Sequence, residues 1–200
     1  MQVRSVEFHR AAYSPADFVR DGRPQFAFVG RSNVGKSTLI NVLLNRSRKG
    51  VARVSSTPGK TQAVQYYIVN ERIHLVDLPG YGYAKVAKTT RAEWAQLMEG
   101  FFAEAQSLGA LFLLLDSRRE PTDEDAMMLD LARSAGVGVV IIMTKSDKLS
   151  GNELAKSRRA IAKALEIDPD ALIPFSSVSR LGVDSVWKII DANMKVNAVS

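Results

Sequence analysis

A chain of 200 residues, 46% hydrophobic and 24% charged, has the composition of a soluble single domain with enough apolar surface for one good core. No apolar run approaches the length of a membrane span, the first ten residues lack the apolar centre of a secretion signal, and the absence of cysteine excludes disulfides, a thiolate nucleophile and a cysteine zinc site. The net charge of +6 favours polyanionic partners through long-range attraction and counterion release, although solubility alone also accounts for an excess of this size.

Residues 1–24 read as a lead-in arm packed on the domain that follows. Val3, Phe8 and Ala11-Ala12-Tyr13 suit a first strand or a strand-like arm, and Ser14-Pro15 and Asp21-Gly22-Arg23-Pro24 are turn signals. The main domain spans residues 25–200. It opens with the apolar run Phe26 to Val29, which suits a buried strand. The strand runs into Gly30-Arg31-Ser32-Asn33-Val34-Gly35-Lys36-Ser37, the phosphate-loop pattern G-x-x-x-x-G-K-[ST], and Ser37 to Leu44, Thr38 included, continues as a helix ending near Asn45. Glycines let successive backbone N–H groups turn inward around phosphate oxygens without a Cβ in the way. The helix N-terminus adds partial positive charge, Lys36 a full one, and Ser37 a hydroxyl for Mg²⁺. The bland reading, a glycine-rich turn with a surface lysine, does not explain why strand, spacing and helix all coincide.

Between Arg46 and Thr61 apolar periodicity fails and Arg46, Arg48, Lys49, Arg53 and Lys60 accumulate, in a loop too long to be idle. Ala63 to Val69 and Arg72 to Val76 predict a hairpin turning at Asn70-Glu71. Asp77-Leu78-Pro79-Gly80 follows, then Tyr81-Gly82-Tyr83-Ala84-Lys85. Thr90 with Glu93 predicts the capped start of a helix whose buried stripe is Trp94, Leu97, Met98 and Phe101. Ala110 to Asp116 is apolar on both faces, as central parallel strands are. A helix capped by Thr122 and Asp125 reaches about Ala135, and Val137 to Met143 is another buried strand, ending in Thr144-Lys145-Ser146-Asp147. Ser150 with Glu153 caps a helix carrying Lys156, Arg158, Arg159 and Lys163; the basic segments Arg46–Lys60 and Arg158–Lys163 are the candidate surfaces for a polyanionic partner, a solvated basic face being the alternative. Ala171 to Phe175 is a last short strand, leading into Ser176-Ser177 and a closing helix with Val183, Val186, Trp187, Ile190 and Met194 inward. His9 and His74 form no predicted pair and suggest no metal site.

Strands alternating with helices predict an α/β domain: a mostly parallel six-stranded sheet with one antiparallel edge strand and helices on both faces. Ligands of such sheets lie beyond the carboxyl ends of the strands, where all the motifs above fall. Asp77 stands where a Walker-B aspartate holds Mg²⁺ through water, and Gly80 where a bare backbone N–H can approach a γ-phosphate. Thr144-Lys145-Ser146-Asp147 fits the [NT]-K-x-D guanine motif. The Asp147 carboxylate can accept from guanine N1–H and the 2-amino group, and adenine leaves it desolvated without a donor. The Lys145 stem suits the face of the base, Thr144 a tie to the phosphate loop, and Ser176 and Ser177 backbone N–H groups for the guanine O6. Within Thr57-Pro58-Gly59-Lys60-Thr61-Gln62, Thr61 is the preferred switch threonine completing the Mg²⁺ shell, and Thr57 is its competitor.

In this order the motifs resemble the translation-factor-like GTPases, and most closely the EngB family (also called YihA or YsxC) of bacterial ribosome-assembly GTPases. The resemblance rests on Gly30 to Ser37, Thr57 to Gln62, Asp77 to Lys85, Thr144 to Asp147 and Phe175-Ser176-Ser177, and covers nearly the whole chain. It implies a Ras-like fold, binding of GTP and GDP with Mg²⁺, GTPase activity, and a role in assembling the large ribosomal subunit and in normal cell division and septation. The implied partner is that subunit or its rRNA, with no DNA or membrane partner expected, for a monomeric protein in the cytoplasm. The position of Asn33 resembles that in GTPases that use K⁺ to accelerate hydrolysis, with Lys36, Thr61 and Gly80 the other catalytic candidates; a loop-bracing hydrogen bond is the alternative for Asn33. Tyr81 stands where Ras-like proteins have glutamine and is a poor water-orienting group, so intrinsic hydrolysis is expected to be slow and stimulated by a partner or a monovalent cation. Rival readings are a P-loop ATPase or small-molecule kinase, and a nucleotide-dependent binding module with negligible hydrolysis.

Overall fold

The computed structural model describes residues 1–45, 63–82, 88–104 and 107–196. The basic loop from Arg46 to Thr61, with the candidates Thr57, Gly59, Lys60 and Thr61, and Tyr83 to Lys85 lie outside the described residues.

The sheet has seven strands, not six: β1 (Val6–Ala12), β2 (Gln25–Gly30), β3 (Val64–Val69), β4 (Ile73–Asp77), β5 (Leu108–Asp116), β6 (Val139–Thr144) and β7 (Leu172–Pro174), in the order β1-β3-β4-β2-β5-β6-β7. Strands β4, β2, β5, β6 and β7 are parallel, while β3 runs antiparallel to both β4 and β1. The seventh strand is the lead-in arm. It covers the ladder groups that β3 would otherwise leave open, pairing from Val6↔Val69 to Ala12↔Val64 with a register shift between Phe8 and Arg10. The antiparallel hairpin strand is therefore internal, and the arm is the edge.

Hairpin β3–β4 turns at Asn70 and Glu71, both in left-handed conformation at φ 52° and 59°, as a two-residue hairpin turn requires. The Asn70 carboxamide also accepts the Arg4 and Ser5 amides at 2.7 and 3.1 Å and donates to the Gln2 carbonyl at 2.7 Å, so one turn residue pins the start of the arm.

Alternation along the central strands separates two cores. Ala27, Val29, Leu111, Leu113 and Leu115 face α2 (Lys88–Ala103), α3 (Asp123–Ser134) and α4 (Gly151–Ala164). Phe26, Phe28, Phe112 and Leu114 face α1 (Lys36–Leu43) and α5 (Val183–Val196), with Phe28 stacked on Phe112 at 4.8 Å between ring centroids. Both faces are thus covered, which is why these strands read as unbroken apolar runs. Helix α3 carries the capping box of Thr122 and Asp125, and α4 that of Ser150 and Glu153. Helix α2 begins at Lys88, so Thr90 is a helical residue rather than its cap.

The arm also clamps α2. Phe18 meets Phe101 edge-on, Arg20 grips Glu104 through two bonds of 2.7 and 2.8 Å, and a Cβ at Gly100 would lie 2.7 Å from Pro15. His74, fully buried, contacts Asp21 through Nε2 at 2.9 Å, and its ring lies 5.4 Å from that of His9. The two histidines are therefore neighbours, contrary to expectation, because β1 brings His9 back over the sheet. Among the described residues no group of histidine, cysteine and carboxylate side chains could hold a metal ion, and no helix is long and apolar enough to cross a membrane.

Candidate functional site

The site is built where β2 gives way to α1. Gly30 ends β2 so close to β5 that a Cβ would lie 2.7 Å from the Leu114 carbonyl oxygen. Asn33 (φ 61°) and Gly35 (φ 108°) then turn the chain so that Gly35 becomes the N-cap of α1. The Val34 amide bonds the Arg31 carbonyl at 3.1 Å, closing a tight loop, and the first-turn amides of α1 have no partner within their helix. Such amides and the helix dipole form an anion site. Ser37 is half-buried and Thr38 exposed, so both hydroxyls sit at an accessible helix start.

Asp77, at the end of β4, is ion-paired with Lys36, and both side chains are mostly buried. The two residues read separately from sequence, one for phosphate and one for Mg²⁺, are thus direct partners. Beyond Asp77 the chain runs against the phosphate loop. The Leu78 amide bonds the Phe28 carbonyl at 3.0 Å, and a Cβ at Gly80 would lie 3.0 Å from the Gly30 carbonyl oxygen. The Ser32 amide donates to the Tyr81 carbonyl at 2.9 Å, and the Pro79 carbonyl accepts Trp94 Nε1–H at 3.2 Å.

The second loop follows β6 and is tied to the first by side chains. Thr144 Oγ1 lies 2.7 Å from the Val34 carbonyl and 3.0 Å from that of Leu115, as its expected bridging role requires. Lys145, at φ 59°, sends its ammonium to the Asn33 carbonyl (2.8 Å) and to Asp116 Oδ2 (2.9 Å). Ser146 is a buried brace: its hydroxyl donates to the Met143 carbonyl at 2.8 Å and accepts the Phe175 amide at 3.2 Å. Asp147 Oδ1 accepts the Ser176 hydroxyl at 2.8 Å, a bond that holds its carboxyl below the usual carboxylate range.

Two expectations change here. Ser176 cannot offer its amide to a base, because that N–H bonds the Leu181 carbonyl at 3.1 Å; its hydroxyl instead accepts the Val178 and Ser179 amides, both at 3.2 Å, while donating to Asp147. Ser177 is left as the candidate amide. Arg158 is not part of a solvated basic face, since its guanidinium holds the Pro169 and Leu172 carbonyls at 2.6 and 3.3 Å and Asp170 at 3.3 Å. Lys156, Arg159 and Lys163 remain exposed.

The sequence reading missed Asp116. It pairs in register with Thr144 across β5 and β6, which sets its carboxylate beside Lys145. It also takes Arg118 Nε at 2.9 Å and Nη2 at 2.8 Å. Burial works against its charge, but the bonds from Arg118 and Lys145 prevail and hold the carboxyl well below the usual range. The available signal was an acid closing an apolar strand at the ligand end of the sheet, the same signal that marked Asp77. A cavity of about 340 Å³ opens beside the phosphate loop, lined by Arg31, Ser32, Asn33, Asp116 and Lys145 among others. The Asn33 side chain is exposed beside this cavity.

A glycine-rich loop between a parallel strand and a helix, an acid paired with its lysine at the end of the neighbouring strand, and a Thr-Lys-x-Asp loop bonded to the glycine-rich loop define a P-loop nucleotide-binding protein of the GTPase class. Residues 25–145 match the family described as 50S ribosome-binding GTPase. The chain is 45% identical to the GTP-binding protein EngB of Geobacter sp. (strain M21) over 99% of its own length and 92% of that protein. It is 46% identical to EngB of Pelobacter propionicus, covering 94% of this chain and 93% of that one. The chain therefore belongs to the EngB family of GTP-binding proteins. A crystal structure of an EngB protein superposes with a TM-score of 0.70 at 22% identity, covering 86% of this chain and 98% of the other, a likeness of fold.

Proposed function

We propose that the protein is a GTP-hydrolysing switch that acts in the cytoplasm, as a monomer, in assembly of the large ribosomal subunit, and that cell division and septation depend on it through that role. The observation that carries the nucleotide reading is the bonding of the Thr-Lys-Ser-Asp loop onto the phosphate loop, with Asp147 held charged by Ser176. A phosphate cradle and a donor-seeking carboxylate are thereby held at one fixed spacing.

In this reading the loop Gly30-Arg31-Ser32-Asn33-Val34-Gly35 and the first turn of α1 bind phosphates, and Lys36 exchanges Asp77 for the β- and γ-phosphate oxygens. The donor set fits a hard cation, because Ser37 offers a hydroxyl and Asp77 a carboxylate with no thiolate nearby. These two residues and Thr61 would hold Mg²⁺, which when bound neutralises charge gathering on the phosphates. Gly80 reads the γ-phosphate through its backbone N–H, flanked by Leu78 and Pro79, while Gly59 and Lys60 carry Thr61 into place. Asp147 accepts from guanine, Ser177 donates to its O6, and Phe175 and Ser146 brace the loop from behind. With Tyr81 turned into the core, no side chain at that position orients water, so intrinsic hydrolysis is slow and depends on a partner group or on K⁺ beside Asn33.

The ribosomal part is supported by family membership, the net charge of +6 and the exposed Lys156, Arg159 and Lys163, whose helical spacing places them on one face of α4. Co-sedimentation with purified large subunits tests it. Binding in a non-hydrolysable GTP analogue and release in GDP is the expected result. Equal sedimentation in both nucleotides, or none in either, would refute it.

A further inference from the structure

We infer that Tyr81 is a positioning residue for γ-phosphate recognition: by tethering the chain to Asp125 of α3 it holds the Gly80 amide against the phosphate loop. This rests on the proposed guanine-nucleotide reading of the site. Tyr81 is 6% exposed and its hydroxyl donates to Asp125 Oδ1 at 2.6 Å. Asp125 is itself 2% exposed and already commits its other oxygen, Oδ2, to the Thr122 amide (2.8 Å) and hydroxyl (3.0 Å) in the capping box of α3. A carboxylate buried this deeply leaves no room for an unmet lone pair, and Tyr81 is the donor that meets it.

The consequence falls on Gly80. Its neighbours are held from three directions: the Pro79 carbonyl by Trp94 of α2, the Tyr81 carbonyl by the Ser32 amide of the phosphate loop, and the Tyr81 side chain by Asp125 of α3. Of these contacts the hydroxyl–carboxylate bond is the charge-assisted one and the shortest. It fixes where Gly80 is presented, because the ring of the following residue cannot leave the core without abandoning its acceptor. The phenol also stays protonated throughout the ordinary pH range, since burial first and the Asp125 charge second push its titration far up. A tyrosine where Ras-like proteins have glutamine is thus a brace on the element that senses the third phosphate, anchored to the capping box of α3.

The test is Tyr81→Phe in the full chain, which keeps the ring and deletes the donor. Affinity for a non-hydrolysable GTP analogue and for GDP is measured by calorimetry, alongside Thr122→Ala, which weakens the same helix cap without touching Tyr81. Gly80 meets only the γ-phosphate, so GDP affinity is the internal control. Tyr81→Phe should lower analogue affinity by about tenfold, the scale of one bond to a charged group, with GDP affinity kept. Thr122→Ala should lower the melting temperature and leave the analogue-to-GDP ratio at the wild-type value. A Tyr81→Phe protein that melts earlier yet keeps the wild-type ratio overturns the inference and leaves Tyr81 a packing residue. Failure of the wild-type protein to bind either nucleotide overturns the underlying site reading instead, so the two failures are told apart.

Discussion

Replacing Asp116 by Asn removes one charge from the junction of the two nucleotide loops without changing its size. Asp116 is 8% exposed on its side chain, while its partners Lys145 and Arg118 are 31% and 43% exposed. A hydrogen bond to a charged group is worth about 1.5–3 kcal/mol when fully buried. Lys145 and Arg118 can each regain water, so the cost to nucleotide binding should be about 1–2 kcal/mol, a five- to thirtyfold weaker Kd. The loss should act through Lys145, which Asp116 holds against the Asn33 carbonyl. In a double-mutant cycle with Lys145→Met, read by GDP affinity, Asp116→Asn should therefore cost almost nothing further once Lys145 is gone. If the two single losses simply add, to within about 0.5 kcal/mol, Asp116 is a structural acid and the argument fails. A pH titration gives a second check. The folded carboxyl is depressed, so its contribution to stability is complete above the ordinary value of about 3.9 and is lost only as pH falls below it. The wild-type and Asp116→Asn stability curves should run parallel over about pH 5 to 8, a range clear of that titration.

Other residues carry their own expectations. GTP turnover should be faster in KCl than in NaCl at equal ionic strength, and Asn33→Ala should erase the difference while keeping nucleotide affinity; equal rates in both salts, free and on the ribosomal partner, would exclude the potassium mechanism. Burial holds the His74 imidazole below its usual range. Its neutral form thus contributes fully above about pH 6.5 and the contribution fades as pH falls below that, so urea midpoints should drop towards pH 5.5 and His74→Gln should flatten the drop. Neutralising Lys156, Arg159 and Lys163 to Gln should reduce the salt dependence of large-subunit binding by roughly 0.7–0.9 in slope per lost phosphate contact, with GDP affinity unchanged. An unaltered slope would remove α4 from the ribosomal surface.

What the sequence made legible follows from how local each signal is. Gly30, Gly35 and Lys36 act through backbone geometry and charge within one strand–turn–helix unit, so their spacing alone carries the reading. The central strands were legible because both their faces are covered, which writes them as continuous apolar runs. Strand β1 was ambiguous for the opposite reason: it lies at the edge with Glu7, Phe8, His9 and Arg10 all exposed and a register shift in its middle, so it has no clean alternation. Asp116, Ser176 and the acceptor of Tyr81 depend on register and on contacts between residues far apart in the chain. Tyr81 and Asp125 are 44 positions apart, and Lys145 and Asn33 are 112 apart. Arg158 illustrates the limit of charge patterning, because an arginine that braces carbonyls looks the same in sequence as one that faces solvent.

The central claim is that Asp147, braced by Ser176, selects guanine. Its most direct measurement is competition for bound fluorescent GDP by GTP, ATP and XTP in the wild-type protein and in Asp147→Asn. An amide at 147 presents a donor to guanine's 2-amino group but suits xanthine's carbonyl, and an unpaired buried polar group costs roughly 1–3 kcal/mol, about ten- to a hundredfold. GTP alone should compete in the wild-type protein. In the variant GTP should weaken by that factor and XTP should gain. Effective competition by ATP in the wild-type protein, or guanine selectivity unchanged by Asp147→Asn, would contradict the account.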